Sequence, residues 1–145
     1  MGCMGLRIVL DTSVVVAAMR SRLGAANAVV RLVAQRRIVP LAPPPLFLEY
    51  EDVLRRPEQR LVHRLTDTEI DEFLSEFAAL VEPVELHFRW RPQLRDPKDE
   101  MVLEAAINGS ADALVTYNIS DFEEAGMRFR LPILSPAQLL QKVKK

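Results

Sequence analysis

Cysteine is nearly absent from this 145-residue chain. Cys3 stands alone, which excludes an internal disulfide and a zinc cage built on cysteine. Histidine is almost as scarce. His63 and His87 lie too far apart in sequence to give a metal-ligand spacing. No run is long and apolar enough to span a bilayer, and no stretch resembles a signal peptide. Met1-Gly2 opens like a myristoylation site, but Leu6 stands where Ser or Thr is required. These absences lead to the expectation of a cytoplasmic protein with no membrane partner. Charge of one sign is missing too: the net charge of −1 favours neither a nucleic-acid partner nor its exclusion. Most of the basic residues are arginine, which forks onto phosphate oxygens more readily than lysine, but which is also a trait of GC-rich genomes.

What is present is the composition of an ordinary globule, 49% hydrophobic and 27% charged, at a length that suits one domain over residues 1–145. Arg7-Ile8-Val9-Leu10 is a short apolar run ending in Asp11 and predicts a buried strand. Helical patterns follow to about Arg36. Ile38 to Ala42 predicts a second strand, weakened by Pro40. Pro43-Pro44-Pro45 enters a helix to about Arg55, which Pro57 stops. Thr66 to Glu69 reads as a capping box, after which Ile70, Phe73, Leu74 and Phe77 repeat at helical spacing. Val81 to Leu86 reads as a third strand. Asp96-Pro97 opens another helix, Asp112 to Thr116 is the clearest later strand, Leu131 to Leu134 the last, and Ser135-Pro136 starts a C-terminal helix. Strands alternating with helices predict a single-domain α/β fold, a parallel sheet flanked by helices. There are no repeats, linkers or low-complexity segments.

In such folds ligands bind beyond the carboxyl ends of the strands. That rule selects Asp11, directly after the first strand, and Thr116, Asn118 and Asp121, after the strand at Asp112–Thr116. Helical phase adds two more acids. Leu46, Tyr50, Val53 and Leu54 form an inward stripe with Glu49 on its edge, while Glu51 and Asp52 face away. Asp99 lies three and four residues before Val102 and Leu103 and so shares their face. An inward carboxylate must be paired, hydrogen-bonded or bound to a cation. No Lys, Arg or His has an evident matching place in these stretches. Crowded carboxylates repel one another and take up protons unless a cation intervenes, and hard oxygen ligands suit Mg²⁺ or Mn²⁺.

Each acid also has a plainer role. Asp96 before Pro97 is an ordinary N-cap, and Asp99 then falls at N3, where an acid favours the helix dipole. Asp11 suits a strand-end turn, Glu49 a helix boundary and Asp121 the cap of a short helix. The metal reading rests on their conjunction.

IVLDTSVVVAA, FLEYEDVL, LRDPKDEMVLEAA and ADALVTYNISDF, in this order and spacing, resemble the PIN-domain ribonucleases. The resemblance runs from about Leu6 to Leu140 and is closest to the bacterial branch of VapC-like toxins of toxin–antitoxin pairs. It implies a PIN-like three-layer α/β/α fold and an acidic cluster that binds Mg²⁺ or Mn²⁺ to hydrolyse RNA phosphodiester bonds. It also implies a cognate antitoxin as partner and a homodimer. By that resemblance Asp11, Glu49 and Asp99 match the first three acids, and Asp96 is an extra acid common in this branch. Thr116, Asn118 and Asp121 fill the last motif, which leaves open whether Asn118 or Asp121 is the fourth ligand. Asn118 departs from the all-acid version of that motif, and Tyr117 is bulkier than the residue often found there. Thr12 and Ser13 match small hydroxyl residues that hydrogen-bond around the first acid. Catalysis is thus assigned to Asp11, Glu49, Asp99 and Asp121, and metal binding to these four with Asp96.

Neither His63 nor His87 falls in a motif, so a histidine-based ribonuclease mechanism is not supported. A haloacid-dehalogenase-type phosphatase requires an aspartate where Ser13 stands. A receiver domain requires an acid pair before the phosphorylated aspartate and a late lysine, both missing. The rival from another class is a PIN fold kept as a non-catalytic nucleic-acid-binding or regulatory module. For substrate contacts, Arg56, Arg60 and Arg64 stand four apart, either gripping phosphate or forming a solvated or partner-facing surface. Arg89-Trp90-Arg91 is either a base-stacking element or a protein contact.

Overall fold

The computed structural model describes residues 5–87 and 93–144. The Arg89-Trp90-Arg91 stretch and Cys3 lie outside these residues. The apolar run after Gly5 forms β1 (Leu6–Leu10), and Asp11 then turns the chain into α1 (Thr12–Arg20). The helical patterns expected to about Arg36 form two helices, α1 and then α2 (Ala25–Ala34). Ser21 is extended and Gly24 caps the second helix, so the chain reverses between them. β2 (Ile38–Ala42) keeps its proline, and α3 (Pro44–Leu54) begins on the prolines, whose fixed φ and missing N–H suit a first turn.

Pro57 ends nothing that Arg55 had not already ended, and it opens a further helix. α4 (Pro57–His63) has Pro57 at its start and closes on Arg64 in the left-handed region, φ 58°. The capping box forms as read: Thr66 Oγ1 accepts from Glu69 N–H, and Glu69 accepts from Thr66 N–H, opening α5 (Asp67–Leu80). The strand expected at Val81–Leu86 is only β3 (Glu82–Pro83), because Pro83 cannot donate to a ladder. α6 (Pro97–Asn108), β4 (Ala113–Val115), α7 (Ile119–Phe129), β5 (Ile133–Leu134) and α8 (Pro136–Lys144) complete the chain.

All strand pairs are parallel, in the order β3-β2-β1-β4-β5. The chain therefore builds outward from β1 to one side, then returns and builds outward on the other. Right-handed crossovers in opposite directions place helices on both faces, and the three-layer α/β/α expectation holds. Central strands buried on both faces read as continuous apolar runs, as Ile8, Val9 and Leu10 do. Their core partners include Val14 and Val15 of α1, Leu46 and Tyr50 of α3, Val102 and Leu103 of α6 and Phe122 of α7, all buried. Phe47, Tyr50, Phe73 and Phe77 form an aromatic cluster with centroids 5.5–6.3 Å apart, which locks α3 against α5.

Among the described residues no helix is long and apolar enough to cross a membrane.

Candidate active site: an acidic cleft beside β1 and β4

The sheet order reverses direction between β1 and β4, and the crevice at such a switch point lies beyond the strands' carboxyl ends. Leu10 pairs with Val115, and Asp11 N–H donates to Val115 O at 2.9 Å. Asp11 and Thr116 therefore leave adjacent strands side by side. Both are buried, and Thr116 Oγ1 donates to Asp11 Oδ2 at 2.7 Å. Ser13 Oγ donates to the same oxygen at 2.9 Å. Each hydroxyl is itself held from behind: Asn118 N–H donates to Thr116 Oγ1 at 2.9 Å, and Tyr117 N–H to Ser13 Oγ at 3.4 Å. Ser13 and Thr116 thus hold one oxygen of Asp11 between two hydroxyls. Asn118 contributes through its backbone, with no capping bond from its side chain.

Tyr50 reinforces the same point from below. Its buried hydroxyl donates to Leu10 O at 2.5 Å, the carbonyl directly before Asp11. Burial, and then the charge of Asp11, push the phenol upward from its ordinary pKa, so it remains a donor.

Asp99, in the first turn of α6, is brought to Asp11. Its carboxyl is pushed up to about 6, first by burial and then by the charges of Asp11, Asp96 and Asp121. Asp99 thus lies within electrostatic reach of the other three aspartates, which follow β1, cap α6 and sit in the first turn of α7. Asp96, Asp99 and Asp121 line an open cleft of about 610 Å³, together with Gln93, Leu94, Arg95, Ser120 and Glu124. Asp96 caps α6, its carboxylate accepting from Lys98 N–H at 2.9 Å, so it serves as a cap while facing the cleft. Asp121 rather than Asn118 lines the cleft.

Glu49 is placed differently. Its carboxylate lies 3.7 Å from Lys98 Nζ. The expectation that no cation matches the inward acids is therefore wrong for Glu49: Lys98 neighbours Asp99 in sequence, and the α3–α6 approach turns it to α3. Among the described residues, no three His, Cys, Asp or Glu side chains converge tightly enough to enclose a metal ion. Thr12, the other hydroxyl assigned to this region, is the first residue of α1 and partly buried.

Two carboxylates escaped the sequence reading. Glu100 and Glu104 are more deeply buried than Asp99, at 3% and 2% exposed. The phase rule that selected Asp99 also selects them, since Glu100 lies three residues before Leu103 and Glu104 one turn further on. Glu100 Oε1 accepts from the N–H groups of Gln93 and Leu94 at 2.5 and 2.6 Å.

The arginines of Arg56, Arg60 and Arg64 are partly engaged within the protein. Arg56 pairs with Asp52 at 2.8 Å, Arg60 with Asp67, and neighbouring Arg55 with Glu51 and Asp71. This favours the solvated ion-paired surface over a phosphate grip for Arg56 and Arg60. His63 is buried and fully used, its Nε2 bonded to Leu54 O at 2.9 Å and its Nδ1 accepting from Leu65 N–H.

Comparison with known proteins bears on the fold and the family. Curated protein sequences yield no significant match. The fold is similar to that of a chain in the crystal structure of VapBC2 from Rickettsia felis bound to a DNA fragment from their promoter. The TM-score is 0.60 at 15% identity, covering 90% of this chain and 98% of that one. The family model for the PIN domain matches residues 7–120, a span from β1 through the start of α7 that contains Asp11, Glu49, Asp96 and Asp99 and stops one residue before Asp121; this chain belongs to the PIN domain family.

Proposed function

We propose that this protein is a divalent-metal-dependent endoribonuclease and the toxin of a toxin–antitoxin pair. PIN domains are generally nucleases and generally use divalent metal ions. The observation that carries the reading is the gathering of acids at one cleft: Asp96, Asp99 and Asp121 line it, and burial, then the charges of Asp11, Asp96 and Asp121, push the Asp99 carboxyl up. Such crowding is costly to a fold and is relieved by a cation.

The donor set fits Mg²⁺ or Mn²⁺, being carboxylate oxygen throughout. Asp11, Asp99 and Asp121 are the residues that would hold the ion, with Asp96 at the rim. When bound, it supplies positive charge against the phosphoryl and leaving oxygens of a phosphodiester. The chain's own contribution is orientation. Ser13 and Thr116 fix one oxygen of Asp11 and leave the other for a ligand, and Tyr50 holds the strand end that carries it. Arg95, which lines the same cleft, offers a cation to a substrate phosphate. Glu49, held towards Lys98, orients water or completes the shell only after leaving that pair.

The VapBC2 fold likeness supports an antitoxin as partner. Exposed Leu23, Leu61 and Met127 supply apolar surface for such a partner or for a homodimer. A non-catalytic binding module is the second reading, favoured by the absence of three converged ligands among the described residues.

One experiment separates them. Labelled RNA is incubated with Mn²⁺, with EDTA and with Asp11→Asn protein, and melting is followed with and without Mn²⁺. The nuclease reading expects cleavage only by the wild type with metal, and a rise in Tm on adding Mn²⁺. Wild-type protein that cuts no RNA pool and shows no shift at millimolar Mn²⁺ defeats it.

A further inference from the structure

Glu100 is a costly residue where it stands. It is almost wholly buried, and its Oε2 has no hydrogen-bond partner among the described residues. Its Oε1 accepts two backbone N–H groups at once, from Gln93 and Leu94. Those two residues, with Arg95 and Asp96, form the strap that enters α6 and walls the acidic cleft. The strap is also gripped from the other side, where the Arg128 guanidinium of α7 donates to Gln93 Oε1. An apolar residue at position 100 would leave two N–H groups unsatisfied and the strap without its anchor on α6.

We infer that Glu100 is a positioning residue for the acidic cleft: by holding the amides of Gln93 and Leu94 it sets where the strap places Arg95 and Asp96 beside Asp99. Its side chain touches no reacting group; it acts through the strap. Outer groups of this kind commonly change metal affinity or activity about 10- to 100-fold when removed. The role is one of geometry and not of charge. Glutamine keeps a carbonyl oxygen in the place of Oε1 and puts an NH₂ in the place of the unpartnered Oε2. Aspartate keeps the charge but is one methylene too short to reach both amides.

The functional half of this inference rests on the metal-dependent nuclease reading, whereas the anchor itself does not. The test therefore uses Glu100→Gln, Glu100→Asp and Glu100→Ala in the full chain, with two readouts. The first is amide exchange at Gln93 and Leu94. Protection is expected in wild type and Glu100→Gln, and loss of protection in Glu100→Asp. The second is the Mn²⁺ titration of Tm and the RNA cleavage rate, compared at equal distance below each protein's own Tm. Glu100→Gln is expected within about threefold of wild type, and Glu100→Asp about 10-fold or more weaker in Mn²⁺ or in kcat. Glu100→Ala is expected to behave as Glu100→Asp, and if it does not fold the other two still decide.

Retention of function by Glu100→Asp with loss in Glu100→Gln overturns the inference, as does wild-type protein with unprotected Gln93 and Leu94 amides. Where the wild type does respond to Mn²⁺ and cleaves RNA, an equal response and rate in all variants overturns it as well. Wild-type protein with protected amides but no Mn²⁺ response or cleavage overturns the nuclease reading, and with it the functional half, while the exchange data still establish the anchor.

Discussion

Thr116 Oγ1 donates a 2.7 Å hydrogen bond to Asp11 Oδ2, joining residues that are 105 positions apart in the chain and one strand apart in the sheet. Because Asn118 N–H donates to the same hydroxyl, the bond ties the start of α7 to the first acid of the cleft. Thr116→Val keeps the shape but removes the donor to Asp11 and the acceptor for Asn118. We expect a loss of about 1–2 kcal/mol in urea unfolding, the usual cost of such a buried bond. We also expect a weaker rise in Tm on adding Mn²⁺, read in the same melting series.

Asp99 predicts an unusual pH dependence for the metal-free protein. Its folded carboxyl is pushed up to about 6 against an ordinary value of 3.8. Between these values the folded state binds the extra proton. Stability contributed by this group is therefore present at about pH 4 and lost as pH rises through 6. Urea unfolding in EDTA should show this slope in wild type and a flatter profile in Asp99→Asn. At pH 7.5 Asp99→Asn should be the more stable of the two, and a steeper profile in the variant would refute the assignment of the slope to Asp99.

Gly126 allows α7 to lie against β5. A Cβ there would stand 2.6 Å from Ile133 Cγ1 and 2.9 Å from Leu131 O. Gly126→Ala forces α7 away from the strand, and α7 carries Asp121. The expected cost is about 1–3 kcal/mol in chemical unfolding, as for other overpacked sites. Far-UV circular dichroism should show retained helix.

Arg64 and Arg130 close α4 and α7 in the left-handed region, at φ 58° and 56°. Without a Cβ, glycine occupies that region at little cost. Arg64→Gly and Arg130→Gly should each stabilise by about 0.5–1 kcal/mol, the relief of local strain less the entropy glycine adds to the unfolded chain. Differential scanning calorimetry checks this, and a fall in Tm for both would mean that the arginine side chains contribute more than the strain costs.

Much of the architecture was legible in the sequence because it is written in short-range terms. Alternation of apolar runs with helical periods determined the α/β class. The capping box at Thr66–Glu69 and the Asp96-Pro97 start are local chemistry that forms as read. The rule of strand carboxyl ends and the phase of α6 selected Asp11, Asp99, Thr116 and Asp121, and the fold brings these to one place. Pro57 was legible as a boundary but not in its sense, since proline that cannot continue one helix is equally suited to begin the next.

The remainder depends on contacts between distant segments, which no local pattern encodes. Nothing near Glu49 announces Lys98, because their 3.7 Å approach exists only once α3 packs against α6. Helical phase turns Glu100 towards the face of Leu103, but only the folded strap shows its partners, the amides of Gln93 and Leu94. Tyr50 reads as core, and only the sheet reveals that its hydroxyl supports the carbonyl before Asp11. The sequence by itself determined which elements form and which acids reach the sheet edge, through periodicity, proline and capping. The tertiary structure alone decided which of those acids crowd together and which are paired, because desolvation and Coulomb terms depend on the distances that packing sets.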